Sequence, residues 1–264
     1  MLDRGVFDGT HLAMMVHPAP FDGVECNVLA IGDLTVTYTG HPAHASLAPY
    51  DGINALDALT VAQVAIGLLR QQLPPGDQIH GIIAAGGDAP NVIPEKTIAR
   101  YCYRSLDPER LEALRERVVR CFEAGALATG CSVTYQSDSP PYTEFHNDSV
   151  LWDLYRKHSV AFGRFPQEMG EGGRGLGSTD MANVSRVLPA IHPMIAAAAG
   201  GAANHQAGFT AACATPSGDT AVRDGALLMA LTVADVARDP GYRAAYLAAT
   251  ATTPSPSPEK AGTP

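Results

Sequence analysis

The chain has 264 residues, 46% of them hydrophobic, which supplies core for one large domain or two modest ones. Its formal charge of −9 and pI near 5.4 argue against a nucleic-acid or acidic-membrane partner, because those need a basic face to displace counterions. The longest apolar stretches, around 196–200 and 225–236, are short, broken by glycine or flanked by charge, and cannot span a bilayer.

The start, MLDRGVFDG, has no apolar run ending in a cleavage site and reads like the interior of a domain. Five widely spaced cysteines without a CxxC pair point to reduced thiols in a cytoplasm. Cys102 and Cys121 fall at apolar-phase positions and are expected in the core.

THLAMMVHPAP (10–20) predicts a short buried strand that ends at His17 and feeds a loop. DLTVTYTG (33–40) predicts a strand, and 52–72 a helix with Ile53, Leu56, Leu59, Ala62, Ile66 and Leu69 on one stripe. QIHGIIAA (78–85) and TIARYCYR (97–104) predict two strands joined by the Gly/Pro-rich GGDAPNVIP. Asp107 can cap a helix that has Pro108 at its first position and Leu111, Leu114, Val118, Cys121, Phe122 and Gly125 on its buried side. CSVTYQ (131–136) closes a β-α-β-β-α-β order, the pattern of two helices on a four-stranded antiparallel sheet.

Beyond it, DSPPYTEFHND (138–148) reads as a linker, 149–163 as a helix, EGGRGLGSTD as a glycine-rich loop and 220–238 as a last helix. The expected class is α/β with two domains, a ferredoxin-like unit at 33–137 inserted between segments 1–32 and 138–240, which pack together as one α/β domain. Residues 241–264 form a tail whose end, ATTPSPSPEKAGTP, has too few apolar residues to fold.

Four of the nine histidines occupy unusual places: His17 before Pro18, His44 in GHPAHAS, His192 in AIHPM and His205 in AANHQAGF. Each alone reads most simply as a hydrogen-bonded loop or core residue. Their place at strand ends, where loops on a rigid sheet gather binding groups, favours function. A zinc site would need a histidine pair plus carboxylates, and the chain has no H-E-x-x-H or adjacent Glu-Glu. Ser178 in GLGSTD invites a Ser-His-Asp reading, but Thr179 and Asp180 break the G-x-S-x-G elbow. Asp180 suits either a helix N-cap or a ligand-orienting acceptor. Arg104 can fork onto a substrate carboxylate or pair with a neighbouring acid. Asn91 can be a turn residue or an amide that binds a carbonyl or carboxylate.

Taken together, VHPAP, GHPAHASLAPYDGINALDA, GIIAAGGDAPNVIP, FEAGALATGC, GSTDMANVS, PAIHP and NHQAGFT resemble the two-metal amidohydrolases and dipeptidases of metallopeptidase family 20. The resemblance spans roughly residues 1–238 and is nearest the branch of the β-alanyl-lysine dipeptidase and the aminobenzoyl-glutamate hydrolase subunits. It implies an α/β zinc-peptidase-like catalytic domain with an inserted ferredoxin-like lid that dimerises. It further implies hydrolysis of an amide bond in a dipeptide or N-acyl amino acid by a metal-activated water.

Residue by residue, the resemblance makes His17 and His205 metal ligands. It makes His44 the lid histidine that reaches the partner's site and steadies the oxyanion. Asn91 and Arg104 match lid positions that bind substrate, and Thr179 and Asp180 match a motif near the site. His41 falls at a variable spot and is expected as a turn residue. The metal would be zinc, with manganese or cobalt equally compatible with such ligands.

The family's first metal motif, bridging aspartate and paired glutamates fall upstream of Met1 by the same resemblance. Metal binding by this chain is therefore expected to be weak and its catalytic machinery incomplete. The alternative is a non-catalytic homologue that dimerises through the lid and binds a small carboxylate ligand or a paralogue.

Overall fold

AIGDLTVTYT forms the ten-residue strand Ala30–Thr39 of the computed structural model, which describes residues 1–23, 28–167, 177–198 and 200–249. In chain order the elements are β1 (Ala13–Met14), β2 (His17–Ala19), β3 (Ala30–Thr39), α1 (Ala55–Leu69), β4 (Gln78–Ala85), β5 (Lys96–Ser105), α2 (Pro108–Thr129) and β6 (Ser132–Gln136). There follow α3 (Ser149–Ala161), α4 (Met181–Ser185), β7 (Ala190–Ile191), β8 (Met194–Ala196), α5 (Ala207–Cys213), α6 (Pro216–Arg238) and α7 (Pro240–Ala249). The chain divides into two compact units, Val28–Glu144 with Gly177–Thr179, and Met1–Asn27 with Phe145–Leu176 and Asp180–Pro264. No described helix is long and apolar enough to cross a membrane.

In the first of these units the strands lie in the order β4-β5-β3-β6, all neighbours antiparallel, with α1 and α2 against one face. This is the ferredoxin-like β-α-β-β-α-β layer. Leu34, Val36, Tyr38, Ala99, Tyr101 and Tyr103 point under the helices and are buried, whereas Ile31, Asp33, Thr35, Cys102 and Arg104 alternate onto the open face.

Local chemistry fixes the helix ends. Asn54 accepts from the amides of Leu56 and Asp57 to start α1, Asp107 accepts from Arg110 to start α2, and Gly130 at φ 77° ends α2. The helices meet where Gly125 faces Ala58, so closely that a Cβ there would collide with the Ala58 carbonyl. Tyr38 donates to the Phe122 carbonyl at 2.7 Å inside this core.

The structure corrects two expectations here. Cys121 is buried, but Cys102 lies half-buried on the open face, because its register opposite Asp33 and His80 gives it the outward phase. Residues 138–142 do not behave as a free linker. Asp33 accepts from the Asp138 amide and the Ser139 hydroxyl, and Tyr142 pairs with Ile31.

In the other unit, β1 pairs with β7 and β2 with β8, both in parallel. Leu151, Trp152 and Tyr155 of α3 pack with Ile191, Ile195, Ala221, Leu228 and Val236. Arg164 bridges Asp22 and Asp224 at 3.1 and 2.9 Å, so each buried charge has its counter-ion. His17 begins β2 instead of ending a strand, since the expected single strand breaks at Met15–Val16. Ordered structure also passes Arg238. α7 follows directly, held by Tyr246 donating to Asp148 at 2.6 Å, while residues 250–264 lie outside the described residues.

Candidate active site

The site residues anticipated from sequence fall in three places. Two lie in the sheet unit, at opposite ends of one sheet.

Beyond the Thr39 end, the GHPAHAS and NVIP loops are stitched together. Ala45 donates its amide to Asn91 at 3.0 Å, Ile93 donates to Ala43 at 2.9 Å, and His44 bridges Val92. His44 and Asn91 thus share one exposed loop pair. The His44 Nδ1 lies 3.3 Å from both the amide and the hydroxyl of Ser46, which leaves its Nε2 facing outward as a usable donor. Gly40 starts this loop because any Cβ would strike the Ile53 carbonyl. His41 is exposed and exchanges backbone hydrogen bonds with Ile53, as a turn residue does.

At the other end Arg104 pairs with Ile31 in register, eight residues from Thr39 along β3, which at 3.3 Å per residue is roughly 26 Å. Among the described residues no carboxylate pairs with Arg104. Its Nη1 donates instead to the Ser178 hydroxyl at 2.9 Å, and that hydroxyl donates to the Leu29 carbonyl at 2.7 Å. Ser178 therefore spends its proton on a backbone carbonyl and not on a histidine, which removes the serine-nucleophile reading. Next to Arg104 on the open face lies a cleft of about 530 Å³ bordered by Ile31, Asp33, His80, Arg100, Cys102 and Tyr142.

The third place is in the other unit. His17 Nδ1 donates to the Pro18 carbonyl at 2.8 Å, which fixes the tautomer and leaves Nε2 with its lone pair free to bind a cation. The same carbonyl accepts from Asn204 at 3.0 Å, so the loop that presents His205 is tied to the start of β2. His205 is exposed at φ 68°, the one described non-glycine residue in the left-handed region.

His192, one of the four histidines in unusual places, carries no role in the site expected from the sequence. It packs edge-on against His17 with ring centroids 5.6 Å apart, and burial, with His17 next, pushes its pKa down to about 4 against the opposing charge of Asp180. The signal that could have found it is the PAIHP string together with the parallel pairing of β2 with β8. Asp180 stands at the start of α4 but makes no side-chain cap, so the capping role is not used. Thr179 is half-buried in the turn after Ser178. The preceding glycine-rich segment, 168–176, lies outside the described residues.

Among the described residues no group of three or more His, Cys, Asp or Glu side chains is placed to hold a metal ion. The imidazoles alone fall short of the donor set of a hydrolytic zinc, and no chemical step through a metal follows from them.

Residues 30–129 match the peptidase dimerisation domain of the M20 family. The chain is 33% identical to the Xaa-Arg dipeptidase of Mus musculus over 237 residues, covering 89% of this chain and 55% of that protein. The chain belongs to the M20 family. The Homo sapiens Xaa-Arg dipeptidase is similar at 32% identity over 89% of the chain and 54% of its own length. The fold is shared with an aminobenzoyl-glutamate utilization protein from Klebsiella pneumoniae, at TM-score 0.58 and 20% identity over 74% of this chain and 52% of that one. This M20 chain therefore spans about half the length of the curated relatives it matches.

Proposed function

We propose that this chain is the lid and part of the catalytic α/β domain of a metal-dependent amide hydrolase. It would act on a dipeptide or N-acyl amino acid and work as a homodimer. The names of the dipeptidase relatives support the reaction class. His17 and His205 supply part of a metal site for zinc, manganese or cobalt, and among the described residues no third ligand joins them. Among the described residues β1–β7 and β2–β8 are only two-stranded parallel pairs, which supports this, since parallel strands normally sit inside larger covered sheets. Arg104 receives the substrate carboxylate, Asn91 binds substrate, and Thr179 and Asp180 border the site. The free thiols of Cys102, Cys121, Cys131 and Cys213 support a cytoplasmic setting.

The observation that carries the proposal is the separation of His44 and Asn91 from Arg104 along one sheet. A single protomer cannot close both ends on one small substrate. β4 is an edge strand exposed from His80 to Ala85, with Ile82 and Ile83 uncovered, and Val61, Val64 and Leu68 of α1 are exposed as well. Such an edge invites pairing. Antiparallel pairing of β4 with its copy about a two-fold axis sets the loop end of one sheet beside the Arg104 end of the other. His44 and Asn91 then serve the partner's substrate.

Sedimentation and dipeptide titration of the wild type and Ile83→Asp test this. The wild type is expected to be a dimer that binds a dipeptide. The variant is expected to be a folded monomer without that binding. A monomer that binds as well as the wild type would overturn the reading.

A further inference from the structure

We infer that Ser178 is a positioning residue that orients Arg104 for a substrate carboxylate without neutralising it, an inference that rests on the carboxylate role proposed for Arg104. A serine hydroxyl has one proton, and here it is committed to the Leu29 carbonyl at 2.7 Å. Its lone pairs are thereby turned to the Arg104 Nη1 at 2.9 Å.

The hydroxyl itself is held in place. The Leu29 amide donates to the Gly177 carbonyl at 3.0 Å, closing a two-bond clasp around the turn, and Gly177 adopts φ 139°, which side-chain-bearing residues rarely do. One hydrogen bond on Nη1 leaves the Nε and Nη2 edge, the side-on fork that accepts a carboxylate bidentately.

The chemistry of the acceptor matters. An aspartate at 178 would hold the guanidinium as firmly but cancel its charge. An alanine would leave the charge and release the geometry. A neutral hydroxyl acceptor keeps both, and Arg104 has no acid partner among the described residues.

Two readouts on the whole chain test this. The first is the NMR signature of hindered rotation of the Arg104 guanidinium in the unliganded protein. The second is the affinity for alanyl-arginine relative to its C-terminal amide. The wild type and Ser178→Thr are expected to show hindered rotation and to favour the free carboxylate roughly tenfold, the value of one charge-assisted interaction. In Ser178→Ala rotation becomes free and the preference shrinks to about threefold or less. In Ser178→Asp rotation stays hindered while the preference disappears. Arg104→Gln removes the preference altogether.

If Ser178→Ala keeps the hindered rotation and the full preference while Arg104→Gln loses it, Ser178 has no positioning role and the inference fails alone. If the wild type shows no preference, the carboxylate role of Arg104 fails and takes the inference with it.

Discussion

His205 stands at φ 68°, where a Cβ costs on the order of 1 kcal/mol relative to glycine. Such strain is retained when the side chain has a use. His205→Gly is expected to be more stable than His205→Ala by about 1 kcal/mol in denaturant titration. If His205 binds zinc as proposed, zinc is expected to raise the melting temperature of the wild type and of neither variant. A glycine variant no more stable than the alanine variant would show that the turn carries no strain. The positions of His17, His44, Asn91 and Arg104 stand out in the sequence because each sits beside a proline, a turn or a strand end, whereas the roles proposed for them come from the family resemblance. The partners of Arg104 and His17 do not stand out. Ser178 is 74 residues from Arg104, and His192 meets His17 only through a parallel strand pairing that no local periodicity encodes.

At the scale of elements, alternation made β3 and β5 readable, because one face of each is covered by helices and the other is not. α7 was missed for the opposite reason. Its sequence, PGYRAAYLAA, has a weak stripe, and it is held by long-range contacts: Tyr246 is buried with Leu151 and Leu228 and donates to Asp148. The covered face of the sheet has a further consequence. Burial pushes the phenols of Tyr103 and Tyr135 up to about 12 and that of Tyr38 higher still, from an ordinary value near 10. Below pH 10 these groups are neutral in both folded and unfolded chains, and stability is unaffected by them. As pH rises from about 10 towards 12 the unfolded chain loses its phenolic protons first, so stability falls steadily. Alkaline titration should therefore show tyrosinate absorbance rising together with loss of sheet dichroism. Phenols that ionise near pH 10 with the fold intact would contradict their burial.

At the scale of the whole molecule, the proposed function would have each protomer offer Arg104 to its own substrate and His44 with Asn91 to its partner's, with His17 and His205 as part of a metal site. The −9 charge and the acidic pI argue against a nucleic-acid or acidic-membrane partner. The most direct test is the metal content of the purified chain after zinc incubation and desalting, with His17→Ala and His205→Ala measured alongside. The account predicts well under one zinc per chain, lost further in either variant, with no dipeptide hydrolysis. Close to two tightly held zinc ions per chain, accompanied by hydrolysis, would contradict it and place a complete two-metal centre within residues 1–264.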